Sequence, residues 1–418
     1  MKVLLINSMC GTASTGRIVA GIYEQVKAAG SEAKVAYGFR KAAKVPECDR
    51  YKINSKAGYY FHNILAKITD RTGLYSKRQT KKFIKWINEY DPDIVNIHNL
   101  HGYYINYEIL FDYLKKADKK VVLTLHDCWS FTGHCAHFDM VGCEGYLTGC
   151  KECKHKNTYP KCWFKCQAGK TYELKKRLLC SIENLTVVTP SYWLADLAKK
   201  SFLGNREIKV INNGIDLSLF KPTDGDIKAK LGVEGKKITL AVANSWNHGK
   251  GFDDLNVIAD KLPEEIKIVM VGLEKGQLKK VNSNIVALTR TNSIKELAAL
   301  YSAADVFLNL TREDTFPTVN IESLACGTPV ITYNTGGSPE IIAKNCGRVV
   351  EKGDISGVIA AINDYCAGEK ISCEFCVSHA ENYDINDKFK LLNIIYWIME
   401  PYMNMKDLSL NLIGRLSR

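Results

Sequence analysis

Short apolar runs alternate with amphipathic stretches along the first half of the chain. Five of the runs are nearly continuous in apolar, largely β-branched residues, as parallel strands covered on both faces are: KVLLIN, AKVAYG, DIVNIH, KVVLTL and LTVVTP. Helical spacing of apolar positions appears between several of them, for example in RIVAGIYEQVKAAG, which Gly30 would end. This alternation predicts a doubly wound α/β domain over residues 1–203.

A second series of the same kind follows: EIKVIN, KKITLAVAN, IKIVMVG, NIVALT, DVFLNL, PVITYN and GRVVE. It predicts another doubly wound domain over residues 204–384. A last apolar helix, over residues 385–405, has no strand after it, so we expect it to pack back on the N-terminal domain. The predicted fold class is therefore α/β, with two Rossmann-like domains facing a cleft. Ligands of such sheets bind beyond the carboxyl ends of the strands, where every motif below falls.

Composition narrows the class of protein. At 418 residues the chain is too long for one ordinary core, and none of its apolar runs reaches the roughly 18 residues of a membrane span. The apolar part of MKVLLINSMC is too short for a signal peptide, and the residues after it are too polar. We therefore expect the protein in the cytoplasm, where it could also lie at the inner face of the cytoplasmic membrane.

Positive charge is concentrated in the first half of the chain. Residues 1–200 hold 32 Lys and Arg against 18 Asp and Glu, whereas residues 201–418 hold 25 against 27. This excess of positive charge favours contact with an anionic surface. The alternative explanation is that the charged side chains are simply solvated and bind no partner. No nucleic-acid partner is expected, because the charge comes without a helix-turn-helix, zinc-finger or aromatic RNA-binding signature.

Two strand-end motifs in the first half could touch a ligand. The loop NSMCGTASTGR contains Gly16, and the helix behind it would direct free N–H groups toward a phosphate. Its spacing differs from GxGxxG, which argues against a nicotinamide oxidoreductase, and a plain tight turn is an equal explanation. His126 ends the strand of LTLHDCW, where it could donate a hydrogen bond to a sugar hydroxyl or serve only as a core or capping histidine.

A glycine loop in the second half carries a candidate cation. In AVANSWNHGKGF, Lys250 lies between two glycines after an apolar strand. An ammonium there suits the negative charge that develops on a departing diphosphate, and a solvated loop lysine is the alternative.

Residues 311–330, TREDTFPTVNIESLACGTPV, combine a helix start with three acids. Pro317 suits the first turn of a helix that Gly327 would stop, so the amides near Thr318 and Val319 would point at a phosphate.

Those acids are Glu313, Asp314 and Glu322. Glu322 and an acid of the preceding loop can accept hydrogen bonds from the hydroxyls of one ligand. No catalytic metal is expected, because no third oxygen donor is spaced for Mg²⁺.

Taken in order, these motifs resemble glycosyltransferase family 4, the retaining nucleotide-sugar transferases of the GT-B fold. The resemblance covers essentially the whole chain and rests on the Gly16 loop, the HD of His126, NNGID, GKGF, and EDTFPTVNIESLACGTPV with GGSPE. The nearest pattern is that of capsule and exopolysaccharide enzymes with HDxW before a cysteine cluster. It implies a hexosyltransferase-like enzyme of surface polysaccharide biosynthesis, with a UDP- or GDP-sugar donor and a saccharide or lipid-linked saccharide acceptor.

The resemblance also implies roles for residues. Glu322 would bind the ribose, Lys250 the diphosphate, and Asp314 the donor sugar, where the family usually has Glu and where Glu313 could share the contact. Asn244 would substitute for an arginine that many members carry. The implied catalytic residues are His126, Lys250, Asp314 and Glu322. The implied donor-binding residues are Gly16, Asn244, Lys250, Glu313, Asp314, Phe316, Pro317, Thr318, Val319 and Glu322.

The family is thought to let the acceptor attack on the leaving-group face, so that the departing phosphate oxygen takes the acceptor's proton. The protein would then supply positioning and charge stabilisation. A nucleotide-sugar epimerase or hydrolase of the same fold is the alternative.

Seven of the 15 cysteines lie in a predicted insertion over residues 128–166. A cytoplasmic chain should not rely on disulfides, and Cys150-x2-Cys153 is a common half of a zinc site. The resembling enzymes show four cysteines here, which favours a structural zinc on Cys135, Cys143, Cys150 and Cys153. Cys162 and Cys166 could replace the first two of these ligands, and a histidine among His134, His137 and His155 could take part. Thiols without a metal, or disulfides, are the alternatives to zinc.

Overall fold

The computed structural model describes residues 1–398 apart from 118, 152, 154–156, 165, 369 and 370. Its strands are β1 Lys2–Asn7, β2 Glu32–Tyr37, β3 Arg50–Lys52, β4 Ile94–Ile97, β5 Lys120–Thr124, β6 Leu185–Thr189, β7 Glu207–Val210, β8 Lys237–Val242, β9 Ile266–Val271, β10 Ile285–Leu288, β11 Val306–Asn309, β12 Val330–Tyr333 and β13 Gly347–Val350. Its helices are α1 Ala13–Ala28, α2 Lys56–Thr69, α3 Lys77–Tyr90, α4 Tyr107–Ala117, α5 Gly145–Thr148, α6 Ala168–Leu179, α7 Tyr192–Lys200, α8 Ile227–Leu231, α9 Phe252–Lys261, α10 Ile294–Ala303, α11 Thr318–Ala325, α12 Ile355–Ala367, α13 Cys373–Glu381 and α14 Ile385–Ile398.

Two parallel sheets form the two halves of the molecule. The first has the order β3-β2-β1-β4-β5-β6-β7 and the second the order β10-β9-β8-β11-β12-β13. The central strands are buried on both faces, as in β1, where Val3 to Ile6 are inaccessible to solvent. This explains the continuous apolar runs in the sequence, and the predicted fold class of two Rossmann-like domains is confirmed.

Strand β7 belongs to the first sheet, although EIKVIN was expected to open the second domain. It pairs in parallel with β6, with Thr186 opposite Glu207, because the short connection through α7 returns the chain to the same sheet edge. The boundary predicted between residues 203 and 204 therefore lies too early, and the first sheet extends to Val210.

The chain returns to the first domain at its end. Helix α14 packs on α1, where Phe389 and Tyr396 join a buried cluster with the residues of β1. The two segments that cross between the domains lie side by side, because Ile215 donates its N–H to the Tyr383 carbonyl at 3.0 Å and Ile385 donates to the Ile215 carbonyl at 2.9 Å. Residues 399–405 of the predicted helix lie outside the described residues.

Candidate active site

A cavity of about 560 Å³ opens between the carboxyl ends of the two sheets. Helix α1 of the first domain contributes Ser14 and Arg17, and the other lining residues come from the second domain. The predicted donor-binding residues that line it are Asn244, Lys250, Asp314, Phe316, Pro317, Thr318, Val319 and Glu322. Residues from four separate strand ends thus meet at one place, as the topology of the sheets requires.

Two predicted residues lie beside this cavity rather than in its lining. Gly16 is buried in the first turn of α1, where an added Cβ would come within 2.9 Å of the Met9 Cβ. The glycine therefore allows close packing beneath the loop, and its neighbour Arg17 reaches the cavity instead. Glu313 lines an adjoining cavity of about 250 Å³ together with His126 and His137.

Lys250 is held at the cavity by a tight turn. The Asn247 side chain accepts the Lys250 N–H at 3.1 Å. Gly251 follows with φ +77°, and an added Cβ would lie 2.6 Å from the Leu310 carbonyl oxygen. Only glycine fits there, since that backbone region disfavours other residues and the space is closed. The turn aims the Lys250 ammonium at the loop that follows β11.

Asp314 is the direct partner of that ammonium. Lys250 Nζ lies 2.8 Å from Asp314 Oδ2 and 3.3 Å from Thr311 Oγ1. The other oxygen, Oδ1, accepts the Phe316 N–H at 3.2 Å. Burial alone would raise the pKa of Asp314, but the charge and hydrogen bond of Lys250 hold the pKa below its usual value. The carboxylate is therefore ionised at neutral pH and fixed between the two cavities, both of which it lines.

Glu322 lies one and a half turns into α11, where it is buried and accepts a hydrogen bond from the Tyr301 hydroxyl at 3.1 Å. Burial raises the pKa of Glu322, and the positive charge of Arg17 opposes that rise. Helix α11 begins at Thr318 behind Pro317, as predicted, and the first N–H groups of a helix have no partner within it. The cavity thus combines two cations, a helix N-terminus and two fixed carboxylates.

His126 lies where β5 ends and contacts a second histidine. Its Nε2 shares a hydrogen bond of 2.9 Å with His98 Nδ1, and the two rings stack. Burial lowers the pKa of His126 to about 4, with Asp127 raising it and His101 lowering it further. The ring is therefore neutral at pH 7. It can donate or accept a hydrogen bond there but carries no charge.

The two domains meet around this site through polar contacts. Glu340 of the second domain accepts the Tyr192 N–H at 2.8 Å and the Trp193 N–H at 2.7 Å, so its carboxylate caps the N-terminus of α7. Thr315 Oγ1 donates to the His126 carbonyl at 2.8 Å. The loop with Asp314 is therefore attached directly to the strand end that carries His126.

Arg17 and His98 are candidate site residues that the sequence motifs did not single out, and the sequence offered His137 only as a possible zinc ligand. Arg17 directly follows Gly16 in the first loop, and His98 ends the apolar run DIVNIH, so both carried the strand-end signal used for His126. His137 lies in the cysteine-rich insertion and reaches the smaller cavity from there.

The four cysteines predicted to bind zinc occupy one region of that insertion. Cys135 is buried, and Cys143, Cys150 and Cys153 are half-buried. Burial, with the neighbouring thiols of Cys153, Cys150 and Cys143, raises the pKa of Cys135 to about 12. The zinc remains a prediction, and His155, one of the alternative ligands, lies outside the described residues.

Two family models match successive parts of the chain. Glycosyltransferase Family 4 matches residues 17–219, and Glycosyl transferases group 1 matches residues 224–385. The chain is 28% identical over 274 residues to a glycosyl transferase named for colanic acid biosynthesis, WcaC of Escherichia coli (strain K12). That match covers 63% of this chain and 65% of WcaC. The chain thus spans slightly less than two thirds of the length of WcaC.

Solved structures share the fold over nearly the whole chain. Sucrose-phosphate synthase from Thermosynechococcus elongatus superposes with a TM-score of 0.69 at 15% identity, covering 96% of this chain and 99% of that one. HepE from Anabaena, in complex with UDP-glucose, gives a TM-score of 0.63 at 15% identity, covering 94% and 99%.

Proposed function

Because the chain belongs to the glycosyltransferases that join a family 4 domain to a group 1 domain in a GT-B fold, we propose that it moves a sugar from a nucleotide sugar to a saccharide or lipid-linked saccharide, with retention of the anomeric configuration. The observation that carries the proposal is the approximately 560 Å³ cavity, where Lys250, Arg17 and the start of α11 face Asp314 and Glu322. Cations and helix amides suit a diphosphate, and carboxylates suit the hydroxyls of a ribose and a hexose.

The chemistry proceeds by positioning and charge stabilisation. The acceptor hydroxyl attacks the anomeric carbon on the face that the diphosphate leaves, and a departing phosphate oxygen takes its proton. Lys250 and Arg17 stabilise the charge that develops on the diphosphate, in a site partly closed to water. In this proposal the acceptor approaches through the smaller cavity, which the neutral His126 ring and the Glu313 side chain line.

A UDP-sugar is the donor to test first, since the structural neighbour HepE was solved with UDP-glucose. The protein is incubated with a panel of UDP- and GDP-sugars, and the one that raises its melting temperature most is selected. Nucleoside diphosphate should then be released only when a saccharide or lipid-linked saccharide is added. The new glycosidic bond of the product should have the same anomeric configuration as the sugar in the donor. Equal release without any acceptor would instead make the protein a nucleotide-sugar hydrolase.

A lipid-linked acceptor would require this protein to reach a membrane surface, and the first domain carries a surface suited to that task. Helix α2 exposes an apolar face, and an adjoining part of the insertion exposes two more aromatic side chains. We define the α2 apolar face as Tyr60, Phe61, Ile64, Ile68, Trp163 and Phe164, which are between 39% and 65% exposed.

The two parts of the α2 apolar face are joined by a hydrogen bond, and lysine charge lies beside them. Trp163 donates its N–H to the Lys67 carbonyl at 2.7 Å, and Lys67 Nζ lies 5.5 Å from the Trp163 ring centroid. Residues 40–85 contain thirteen Lys and Arg against three Asp and Glu. Apolar side chains within a basic surface suit the boundary of a bilayer that contains anionic lipids. Within the part of the chain that the structure describes, none of the helices combines the length and apolar character that crossing a membrane demands.

Vesicle binding tests this surface. The protein should sediment with vesicles of phosphatidylglycerol and phosphatidylcholine, and less so as salt is raised, because salt screens surface charge. Phe61→Ser with Ile64→Ser should weaken binding at least tenfold, whereas Phe375→Ser, at an exposed aromatic on α13 of the second domain, should not. Equal binding by the two variants would leave a soluble saccharide as the acceptor.

A further inference from the structure

Two histidines meet at the carboxyl ends of neighbouring strands. Strands β4 and β5 pair in parallel with Ile97 opposite Leu123, so His98 and His126 both lie just beyond the paired segment. The backbone N–H of His98 donates to the Ile6 carbonyl of β1 at 2.9 Å, which fixes the point from which its side chain starts. His98 is 2% exposed, whereas His126 lines the cavity of about 250 Å³. A buried histidine thus supports one that a ligand can reach.

The two imidazoles are joined nitrogen to nitrogen. His98 Nδ1 lies 2.9 Å from His126 Nε2, the ring planes differ by 17° and the centroids are 5.2 Å apart. The lone pair of a ring nitrogen lies in the ring plane, so rings with nearly parallel planes can direct it at an N–H of the other ring. Burial lowers the pKa of both imidazoles, so both are neutral at pH 7. One proton therefore lies between the two nitrogens, and one of the two rings donates it.

The other nitrogen of His98 decides which ring is the donor. His98 Nε2 is enclosed, and no group in the described part of the chain forms a hydrogen bond with it. If His126 donated, the proton of neutral His98 would lie on Nε2, as a buried N–H without an acceptor. If His98 donates from Nδ1, its Nε2 is only an unused lone pair. Buried backbone N–H groups without a partner are rarer than carbonyls with an unused lone pair, and the same cost favours His98 as the donor.

This arrangement determines where His126 carries its own proton. A neutral imidazole holds one proton, and the bond made at one nitrogen sets the role of the other. Because His126 Nε2 accepts from His98, the proton of His126 lies on Nδ1. Among the described residues no group bonds to Nδ1. That N–H is therefore left for a ligand of the smaller cavity, which the ring lines.

From these contacts we infer that His98 is a positioning residue, which holds His126 in the Nδ1–H tautomer so that His126 presents a fixed hydrogen-bond donor to a hydroxyl oxygen of the substrate. The identity of the substrate as a sugar rests on the proposed function. The tautomer rests on the geometry of the two histidines alone.

A histidine fixed in this way recognises a hydroxyl but cannot act as a base. Its Nε2 lone pair is used by His98, and its Nδ1 already carries a proton. The acceptor's proton must therefore go elsewhere, and in the proposed mechanism it goes to the departing phosphate oxygen. Asp314 lines the same cavity and is ionised, so it only accepts hydrogen bonds. The cavity thus offers one fixed donor and one fixed acceptor to sugar hydroxyls, which can bond to both.

The tautomer is measured on the full-length wild-type protein without any substrate. In protein labelled with ¹⁵N at histidine, two-bond ¹H–¹⁵N spectra distinguish the protonated ring nitrogen from the unprotonated one. The signals of His126 are those missing from His126→Gln. We expect the proton of His126 on Nδ1. A proton on Nε2 would overturn the inference, whatever the enzyme transfers.

Two substitutions of His98 separate positioning from packing. His98→Asn keeps a side-chain N–H close to the position of Nδ1, whereas His98→Leu fills similar space without a donor. We expect His98→Asn to retain kcat/KM for transfer within about threefold and His98→Leu to lose about tenfold or more, the scale of one hydrogen bond. The Nδ1–H signal of His126 should persist in the first variant and weaken in the second.

His62→Gln is the matched control, because His62 is also a buried histidine of the first domain and lines neither cavity. Measured where all variants are folded, it should keep kcat/KM within about threefold of wild type. Equal losses in His98→Asn and His98→Leu, with the tautomer of His126 unchanged in both, would show that His98 only packs and would overturn its positioning role. If the protein transfers no sugar at all, the proposed function fails, while the spectrum of the wild-type protein still decides the tautomer.

Discussion

Asp314 and Glu313 are adjacent acids that the structure places differently, and exchanging each for its amide separates their roles. Asp314 lines the main cavity and is bonded to Lys250, whereas Glu313 lines only the adjoining cavity. We expect Asp314→Asn to weaken binding of the intact nucleotide sugar strongly and Glu313→Gln to change it within about threefold. The amide keeps the size of the side chain, so the comparison reports charge and hydrogen bonding.

The magnitude follows from the contacts that Asp314 makes. A hydrogen bond to a charged group contributes about 1.5–3 kcal/mol. The amide still accepts a hydrogen bond but replaces the charged acceptor of a sugar hydroxyl in the complex with a neutral one, and it leaves Lys250 without the carboxylate that holds it at 2.8 Å. Lys250 and Asp314 are partly exposed, which reduces the contribution of that pair. A total of about 3 kcal/mol corresponds to a loss of roughly 150-fold.

Calorimetric titration with two ligands measures the sugar contact alone. The nucleotide sugar and its nucleoside diphosphate are titrated into each variant, and the ratio of the two Kd values isolates what the sugar adds. Asp314→Asn should shrink this ratio, and its melting temperature should stay within about 3 °C of wild type. If Glu313→Gln shrinks the ratio as much or more, the sugar contact belongs to Glu313 and the reasoning from cavity geometry is refuted.

Three further outcomes are expected. Glu322→Gln should weaken nucleoside diphosphate and nucleotide sugar by the same factor, about 10–100-fold by calorimetry, because the ribose is common to both; a selective loss of the nucleotide sugar would contradict this. Arg17→Gln should lower kcat/KM for transfer about tenfold or more, whereas Lys44→Gln, an exposed change, should not. Burial lowers the pKa of His62 to about 3. Below pH 6.5 the folded state therefore binds fewer protons than the unfolded state. The free energy of unfolding should fall as pH falls, by about 2 kcal/mol at pH 5. Urea titrations should show this loss reduced in His62→Gln, and an unchanged pH dependence would show that the histidine is not the cause.

Local sequence patterns predicted the parts of the site that neighbouring residues determine. KVLLIN coincides with β1, because a continuous apolar run of that length is typical of a strand covered on both faces. Helix α11 begins after Pro317, and Gly327 follows its end with φ +84°, as the positions of proline and glycine indicated.

Residues whose roles depend on the packing of the two domains could not be predicted in the same way. Arg17 is an exposed residue of α1, and only the orientation of the domains brings its charge toward Glu322. The sequence placed strand β7 in the wrong sheet. Its half-exposed, alternating pattern indicates a strand but does not indicate the neighbouring strand with which it pairs. The sequence left open whether Asp314 or Glu313 contacts the sugar, and only the structure shows that Asp314 alone is bonded to Lys250 and lines the main cavity.

The return of α14 to the first domain has a consequence for biosynthesis. Phe389, Leu392 and Tyr396 complete a cluster that includes Val3 and Leu5 of β1, which are synthesised before the whole second domain. At a synthesis rate of about 5–20 residues per second, the intervening second domain delays that completion by roughly 10–40 s. During this interval the nascent first domain exposes an apolar surface that a chaperone can recognise. The second domain, which is continuous in sequence, can therefore reach its native structure before the first domain does.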